Sequence, residues 1–523
     1  MLTEAIQLEK LNPTVLKYIN ELILENQRLK DIEEYKNKYL ELKERYDLLI
    51  YKRFGRSAEQ LLADEKQQLL FSEEGKTEQP PLEEVETEKQ EIKSYTRKRP
   101  GRKPIDPIIP RVDEIIDIPE NEKICACGAQ MVKIGEEASE RLEIIPQSIF
   151  VVKTIRPKYA CRCCEGTEDE NKPAVRIAPV PPAIIPRSIA SASLLSYIMI
   201  QKYQDHLPYY RQEVQFQRIG IEISRQDMSN WQQQVYEKLL PLFNLMEKII
   251  KSGPIMRMDE TPVQVMGEEG REDTQKSYMW LARGGPPGET VVLYRYRRTR
   301  GAEHAREFVE GFKGYLQTDG YEAYDTAVSG LSGIIHVGCF AHARRKFFEA
   351  SKAAEKPQSA EEGIKHIRKL YELEARLRKE NRREEDFLAE RKKQAEPILA
   401  AFRAWLEKRD NEVLPSSNLG KAVTYTLRQW KKLIAYLESP YLTPDNNASE
   451  NAIRPFVLGR KNWLFNKSPK GAESSCGMYS LIETAKQNEV EPLKYLRELF
   501  EKAPYVSSPE GWEKLLPWNI FNP

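Results

Sequence analysis

The stretch "PIMRMDETPVQVM", residues 254–266, decides the fold. Together with "KSYMWLARG" (276–284) and "ETVVLYRYRR" (289–298) it reads as the first of three consecutive strands. A helix follows in "GAEHAREFVEGF" (301–312). A fourth strand lies in "GYLQTDGY" (314–321) and ends in Asp319. "YEAYDTAV" is a short helix, and "GIIHVGCFAHARRKFFEA" (333–350) is a fifth strand running into another helix.

Strand, strand, strand, helix, strand, helix, strand is the order of the ribonuclease H-like α/β fold. In that fold the first and fourth strands are neighbours, so Asp259 and Asp319 meet at one edge of the sheet. Paired carboxylates are what phosphodiester chemistry with two Mg²⁺ ions requires, because hard Mg²⁺ takes oxygen ligands. A third acid usually sits on the helix after the fifth strand. Here Ala341 to Phe348 contains none, and Glu349 comes late. The other candidate is Glu450 in "TPDNNASENAIRP" (443–455). In that case the charged helical block of roughly 343–440 is an insertion, and the helix beginning near Asn447 carries the third acid. Asn447 also reads as an N-cap, and Glu450, three residues on, completes a capping box. Both roles are expected of Glu450 at once.

Working outward from this core, the chain of 523 residues has room for several domains. It is 40% hydrophobic and 31% charged, which points to a soluble protein. No apolar run approaches the roughly 20 residues of a membrane span, and "MLTEAIQLEKLNP" lacks a signal-peptide pattern. A cytoplasmic protein is expected. The net charge of +1 conceals an acidic stretch at 73–91 and a basic one at 97–103.

Residues 15–50 carry apolar residues at three-four spacing: Val15, Ile19, Leu22 and Leu29, then Ile32, Tyr35, Tyr39, Leu42, Tyr46 and Leu49. That is a coiled-coil seam, with Asn26 as a register device. A helix packed on its own chain is the alternative. The polar segment 72–96 reads as linker. It ends in "RKRPGRKP" (97–104), a basic finger in which Arg97, Lys98, Arg99, Arg102 and Lys103 can contact a DNA groove and its phosphates.

Five of the seven cysteines fall in residues 125–164, in a β-ribbon context. Such clustering points to metal more than to disulfides. Cys161 and Cys164 have zinc-knuckle spacing, with Cys163 as a competitor. Cys127 and Cys125 form a tighter C-x-C pair. One structural Zn²⁺ is expected. Residues 187–252 read as helices, with Ser224 capping the second member of a helix-turn-helix-like pair. That pair is either a DNA reader or a helical spacer packed on the next domain.

His336, Cys339 and His342 make H-x-x-C-x-x-H. Residues 336 and 339 of one strand point to opposite faces. Cys339 is therefore expected in the core, and His342 at the edge of the site or on DNA. Arg344, Arg345 and Lys346 follow as phosphate contacts, as do Arg454, Arg460 and Lys461 beyond Glu450. Trp463 either stacks on a base or is buried.

At this point the chain resembles the DDE transposases of the insertion sequence 66 family. The matching stretches are "KRFGRSAE" (52–59), "RKRPGRKP" (97–104), "RPKYACRCCEG" (156–166), "KYQDHLPYYRQE" (202–213), "MDETPVQV" (258–265), "LQTDGYEAY" (316–324), "GCFAHARRKF" (338–347), "DNNASENAIRP" (445–455), "GRKNWLF" (459–465) and "YSLIETAKQN" (479–488). The family usually shows C-x-x-C before the Gly at 128, but here the earlier position is Ile124 and Cys125 is displaced by one.

The resemblance implies a coiled-coil segment (1–60), a linker with the basic finger (61–112) and a zinc-binding region (113–175). A helical segment (176–252) follows, then a ribonuclease H-like core in two parts (253–342 and 441–490) around a helical insertion (343–440), and a C-terminal extension (491–523). It implies catalytic Asp259, Asp319 and Glu450 holding two Mg²⁺, with Mn²⁺ able to substitute. The implied activity is cleavage of DNA at terminal inverted repeats and strand transfer to target DNA. The implied enzyme is a homodimer or higher oligomer, is associated with the nucleoid when bound to DNA, and works in some cases with accessory proteins of the same element. A zinc and coiled-coil DNA-binding factor with a vestigial catalytic domain is one rival. A nuclease or resolvase acting on branched DNA is another.

Overall fold

The computed structural model describes residues 27, 30, 35, 38–49, 149–160, 175–353, 357–380 and 382–521. The basic finger, with Arg97, Lys98, Arg99, Arg102 and Lys103, lies outside the described residues, as do Cys125, Cys127, Cys161, Cys163 and Cys164. Two compact units are distinguished. In the smaller, residues 78–180, strand β1 (Lys158–Ala160) pairs antiparallel with β2 (Val175–Ile177). This ribbon is shorter than the strand read across 148–160, since residues 149–157 pair with nothing regular.

The larger unit opens on a helical segment, 38–49, whose apolar seam faces solvent: Tyr39, Leu42, Tyr46 and Leu49 are all more than 60% exposed. Directly before the sheet come α1 (Ala192–Tyr203), α2 (Tyr209–Arg218), α3 (Arg225–Lys238) and α4 (Leu240–Ser252). Ser224 caps α3 in a capping box with Asp227, as its sequence predicts. Met228, Trp231 and Val235 of α3 are buried in the main core. Gln232 on the same helix donates to Ser474 Oγ at 2.6 Å. The second helix of the pair is thus packed on the following domain along the face that carries Met228, Trp231, Gln232 and Val235.

The sheet contains β3 (Ile255–Val265), β4 (Lys276–Gly284), β5 (Val291–Arg297), β6 (Gly314–Gln317), β7 (Ile334–Val337) and β8 (Phe465–Asn466). Its order is β5-β4-β3-β6-β7, with β8 on the far end of β3. The first three strands are a meander, and β6 and β7 add in parallel through α5 (Ala302–Val309) and α6 (Glu322–Val328). These are the strands read from the sequence, with β6 stopping short. It ends at Gln317, so Asp319 stands in the turn beyond it. Thr318 still donates its N–H to Val337 at 3.1 Å, but its hydroxyl bonds the Asp319 carbonyl, and the chain turns at Gly320. A Cβ at Gly320 would lie 2.4 Å from the Tyr425 hydroxyl, so only glycine fits this turn.

After α7 (Phe340–Ala353) come three long helices, α8 (Gln358–Lys379), α9 (Glu384–Asp410) and α10 (Asn418–Ile434), with their own hydrophobic cluster. Buried Arg391 of α9 pairs with Glu374 at 2.6 Å and donates to the carbonyls of Tyr436, Ser439 and Leu442. A buried charge needs partners of this kind. Here it fixes the chain leading into α11 (Asn447–Trp463). Helix α12 (Pro469–Gln487) closes the sheet's free edge, because Thr484 and Ser480 accept from the backbone N–H groups of Val292 and Tyr294 on β5. The chain ends in α13 (Pro492–Lys502) and α14 (Pro509–Glu513).

Candidate functional site

Strand register brings the first two acids together. Arg257 of β3 is opposite Gln317 of β6 in the parallel ladder. Asp259 and Asp319 each follow two residues later, at one height along the sheet. A buried knot holds that point. Arg257 Nε donates to Gln317 Oε1 at 3.0 Å and its Nη2 to the Tyr441 carbonyl at 3.0 Å. Gln317 Nε2 donates to the Thr443 carbonyl at 2.7 Å. Arg257 thereby ties β3, β6 and the approach to α11 at one place, and burial draws its own pKa down to about 9.

Asn446 completes the connection. Its Nδ2 donates to the Met258 carbonyl at 2.9 Å and its backbone N–H to Cys339 Sγ at 3.2 Å. The expected cap is therefore displaced. Asn446, not Asn447, is the N-cap residue, and its side chain is spent on β3 rather than on its own helix. No capping box forms at Glu450. Its side chain turns inward, 8% exposed, and both carboxylate oxygens are sealed from solvent without a hydrogen-bond partner among the described residues.

The three acids feel one another. Asp259 is pushed well above the usual carboxylate range by desolvation first, then by the charges of Glu260, Glu450 and Asp319. Glu450 is raised to about 7, chiefly by burial, with Asp445 and Asp319 adding to it and Arg345 and Arg454 opposing it. Asp259 Oδ1 accepts from the N–H of Glu260 at 2.9 Å, and Asp319 Oδ1 from Tyr321 at 3.0 Å. Leaving a buried acceptor unsatisfied costs about 1–3 kcal/mol. The two Glu450 oxygens, acceptor-only when ionised and without a donor among the described residues, fit a divalent cation of the Mg²⁺ class.

Sequence reasoning missed what lies beneath this site. Glu260, the neighbour of Asp259 on β3, pairs with Arg300 and accepts from the Tyr324 hydroxyl. Arg300 stacks 3.8 Å over Tyr321, whose N–H holds Asp319. The acidic "MDET" stretch was visible, but its partners sit 40 and 64 residues away.

The H-x-x-C-x-x-H pattern divides. His336 bonds Thr318 at 2.8 Å and Asp325 at 2.9 Å, and Asp325 also takes Lys432. Cys339 is buried, as expected of a core residue. His342, in the first turn of α7, puts Nδ1 3.7 Å from Glu450 Oε1, and burial lowers its pKa to about 4. Arg344, Arg345 and Lys346 continue along α7, and Lys346 lies 4.7 Å over the Tyr425 ring. Arg454 stands one turn beyond Glu450. Arg460 is directed inward, donating to Thr261 Oγ1 at 3.0 Å and to the Pro262 carbonyl, so it braces α11 against β3. Lys461 is exposed. Trp463 packs edge-on against Tyr203 and beside Tyr479, partly buried against the main core.

Comparison with known proteins gives the family. A family model described as "Transposase IS66 family" matches residues 187–474, more than half of the chain. Models for the zinc-finger binding domain of transposase IS66 (122–165), the IS66 C-terminal element (480–518) and "Transposase C of IS166 homeodomain", a leucine-zipper model (41–113), match further segments. Among curated relatives, the uncharacterized protein y4qI of Sinorhizobium fredii (strain NBRC 101917 / NGR234) is 33% identical over 464 residues, covering 84% of this chain and 83% of its own. The uncharacterized protein y4jD of the same organism is 32% identical over 422 residues, covering 79% and 80%.

Proposed function

The chain belongs to the IS66 transposase family, and from that premise we propose that it binds the terminal inverted repeats of its mobile element, cleaves the DNA there and joins the freed 3′ end to target DNA. The sheet order and the two-part core around α8–α10 support a ribonuclease H-like catalytic fold with a helical insertion. The observation that carries the proposal is Glu450. Its two buried oxygens have no partner among the described residues, and it shares its electrostatic surroundings with Asp319 and Asp259.

Asp259, Asp319 and Glu450 are the residues that would hold Mg²⁺, or Mn²⁺ in its place. When bound, such ions supply charge stabilisation and a strong oxygen nucleophile for in-line phosphoryl displacement. The chain's own part is positional. Arg257 and Asn446 fix the spacing of the three acids, and Glu260 with Arg300 steadies the Asp319 turn. Arg345 and Arg454, both close enough to oppose the rise in the Glu450 pKa, are placed to receive a DNA phosphate beside it. Arg344, Lys346 and Lys461 extend that basic surface.

Holding two element ends together needs at least two copies. The solvent-facing seam of Tyr35, Tyr39, Leu42, Tyr46 and Leu49 offers the pairing surface. The zinc-finger match supports one structural Zn²⁺ on the cysteine cluster. Among the described residues no helix is long and apolar enough to cross a membrane.

The test is cleavage of a DNA carrying the element's ends, with Mg²⁺, by Asp259→Asn, Asp319→Asn and Glu450→Gln. Each should lower cleavage by several orders of magnitude while retaining DNA binding, because affinity comes from Lys and Arg on phosphates. Near-normal cutting by Glu450→Gln would remove Glu450 from the site and return Glu349 as the third acid.

A further inference from the structure

Cys339, His342 and Glu450 present one ligand-capable atom each, all within 4.8 Å of one another. They come from two helix N-termini that the backbone locks together: Phe340 donates to the Pro444 carbonyl at 2.9 Å, and Asn446 donates to Cys339 Sγ. His342 Nδ1 and both Glu450 oxygens are buried and make no hydrogen bond among the described residues. His342 Nδ1 and Glu450 Oε1 are 3.7 Å apart, too far for a hydrogen bond between them. Tetrahedral bonds of about 2.0–2.1 Å place a nitrogen and an oxygen ligand roughly 3.3–3.4 Å apart, so that pair stands a few tenths of an ångström wide of the spacing of two ligands on one ion. The sulfur lies within 4.8 Å of both.

We propose that Cys339, His342 and Glu450 form a site for a zinc-class divalent ion, separate from the cysteine cluster of residues 125–164. A sulfur, an imidazole nitrogen and one carboxylate oxygen suit Zn²⁺ or Co²⁺, whereas Mg²⁺ takes oxygen alone. Burial first, then the charges of Glu450 and Asp445, raise the thiol's pKa well above its ordinary value, and two features oppose that rise at the sulfur. It accepts the Asn446 N–H, and it lies at the positive end of α7. Binding the ion displaces the thiol proton to solvent. Three protein ligands leave a fourth position for water. A Glu450 oxygen taken by this ion competes with the carboxylate site for the third acid, so zinc bound here is expected to inhibit Mg²⁺-supported cleavage. Binding stands on the three side chains alone, and only the consequence for cleavage rests on the function proposed above.

The test uses the full chain with its cysteine cluster already loaded with zinc. Titration with Zn²⁺, read by competition with a chromophoric chelator, should show about one further equivalent in the natural protein. Cys339→Ser and His342→Asn should each lose it. With Co²⁺ as probe, the added equivalent should carry a sulfur-to-metal absorption band that is absent in Cys339→Ser. Cys339 is buried, so folding of its variant is checked by circular dichroism. His342 is at the site's edge, and its variant carries the stoichiometry test if the cysteine variant does not fold. Equal stoichiometry in the natural protein and the folded variants overturns the site. In the cleavage assay, zinc should inhibit the natural protein and make no difference to whatever cleavage Cys339→Ser retains. Normal cleavage with the extra zinc bound overturns the competition for Glu450. No cleavage by the natural protein in Mg²⁺ alone counts against the carboxylate triad and leaves the stoichiometry result intact.

Discussion

Glu450→Gln should make the metal-free protein more stable at pH 8. The carboxyl is raised from 4.5 to about 7, so ionising it in the folded protein costs about 3 kcal/mol more than in the unfolded chain. For a carboxyl whose folded pKa is raised, that penalty is absent below pH 4.5, grows from 4.5 to 7 and is complete above 7. Glutamine removes the charge and keeps the size. It also forfeits the attraction of a first-turn carboxylate for the α11 dipole, about 0.3–1 kcal/mol. The net gain at pH 8 is about 2–3 kcal/mol, falling to about 1 kcal/mol or less at pH 5.5. Urea and thermal denaturation in Mg²⁺-free buffer at the two pH values measure it. Adding Mg²⁺ should stabilise the natural protein and narrow the gap, because an ion that binds only the folded state shifts the equilibrium toward it. A capping role predicts no gain, since glutamine also caps. A Glu450→Gln protein no more stable than the natural one at pH 8 refutes the reasoning.

Arg257→Leu should lose about 3 kcal/mol of stability, because Gln317 Oε1 and the Tyr441 carbonyl are left buried without their donor; denaturation measures the loss, and cleavage should need more Mg²⁺ as the three acids drift apart. Replacing Leu42 and Tyr46 with Lys and Glu should weaken self-association, seen by sedimentation, while single-end DNA binding persists, because both residues are on the exposed seam. Metal analysis of the full chain should show zinc retained in Cys163→Ser and lost from the cluster in Cys161→Ser or Cys164→Ser. Equal loss in all three would displace the C-x-x-C pairing.

Five strands of the sheet were legible in the chain. Strand composition and length are local properties, and "PIMRMDETPVQVM", "KSYMWLARG" and "ETVVLYRYRR" became β3, β4 and β5. Ser224 capped its helix for the same reason: the cap and its partner are three residues apart. Asp259 and Asp319 could be paired in advance because the ribonuclease H-like order makes the first and fourth strands neighbours, as β3 and β6 are.

What the sequence could not determine was any role settled by a partner distant in the chain. Asn447 and Glu450 spell a capping box, and a local rule predicts one. The structure assigns Asn446 to Met258 and Cys339 instead, 188 and 107 residues away, and turns Glu450 inward. Arg460 looked like a phosphate contact because it is basic and near Glu450, but it braces β3. His336 and His342 share a spacing motif, yet the step from β7 into α7 sends one to Asp325 and the other to Glu450. In each case the local signal was compatible with two outcomes. The choice fell to long-range hydrogen bonding, because a buried polar group must find a donor or acceptor wherever the fold supplies one.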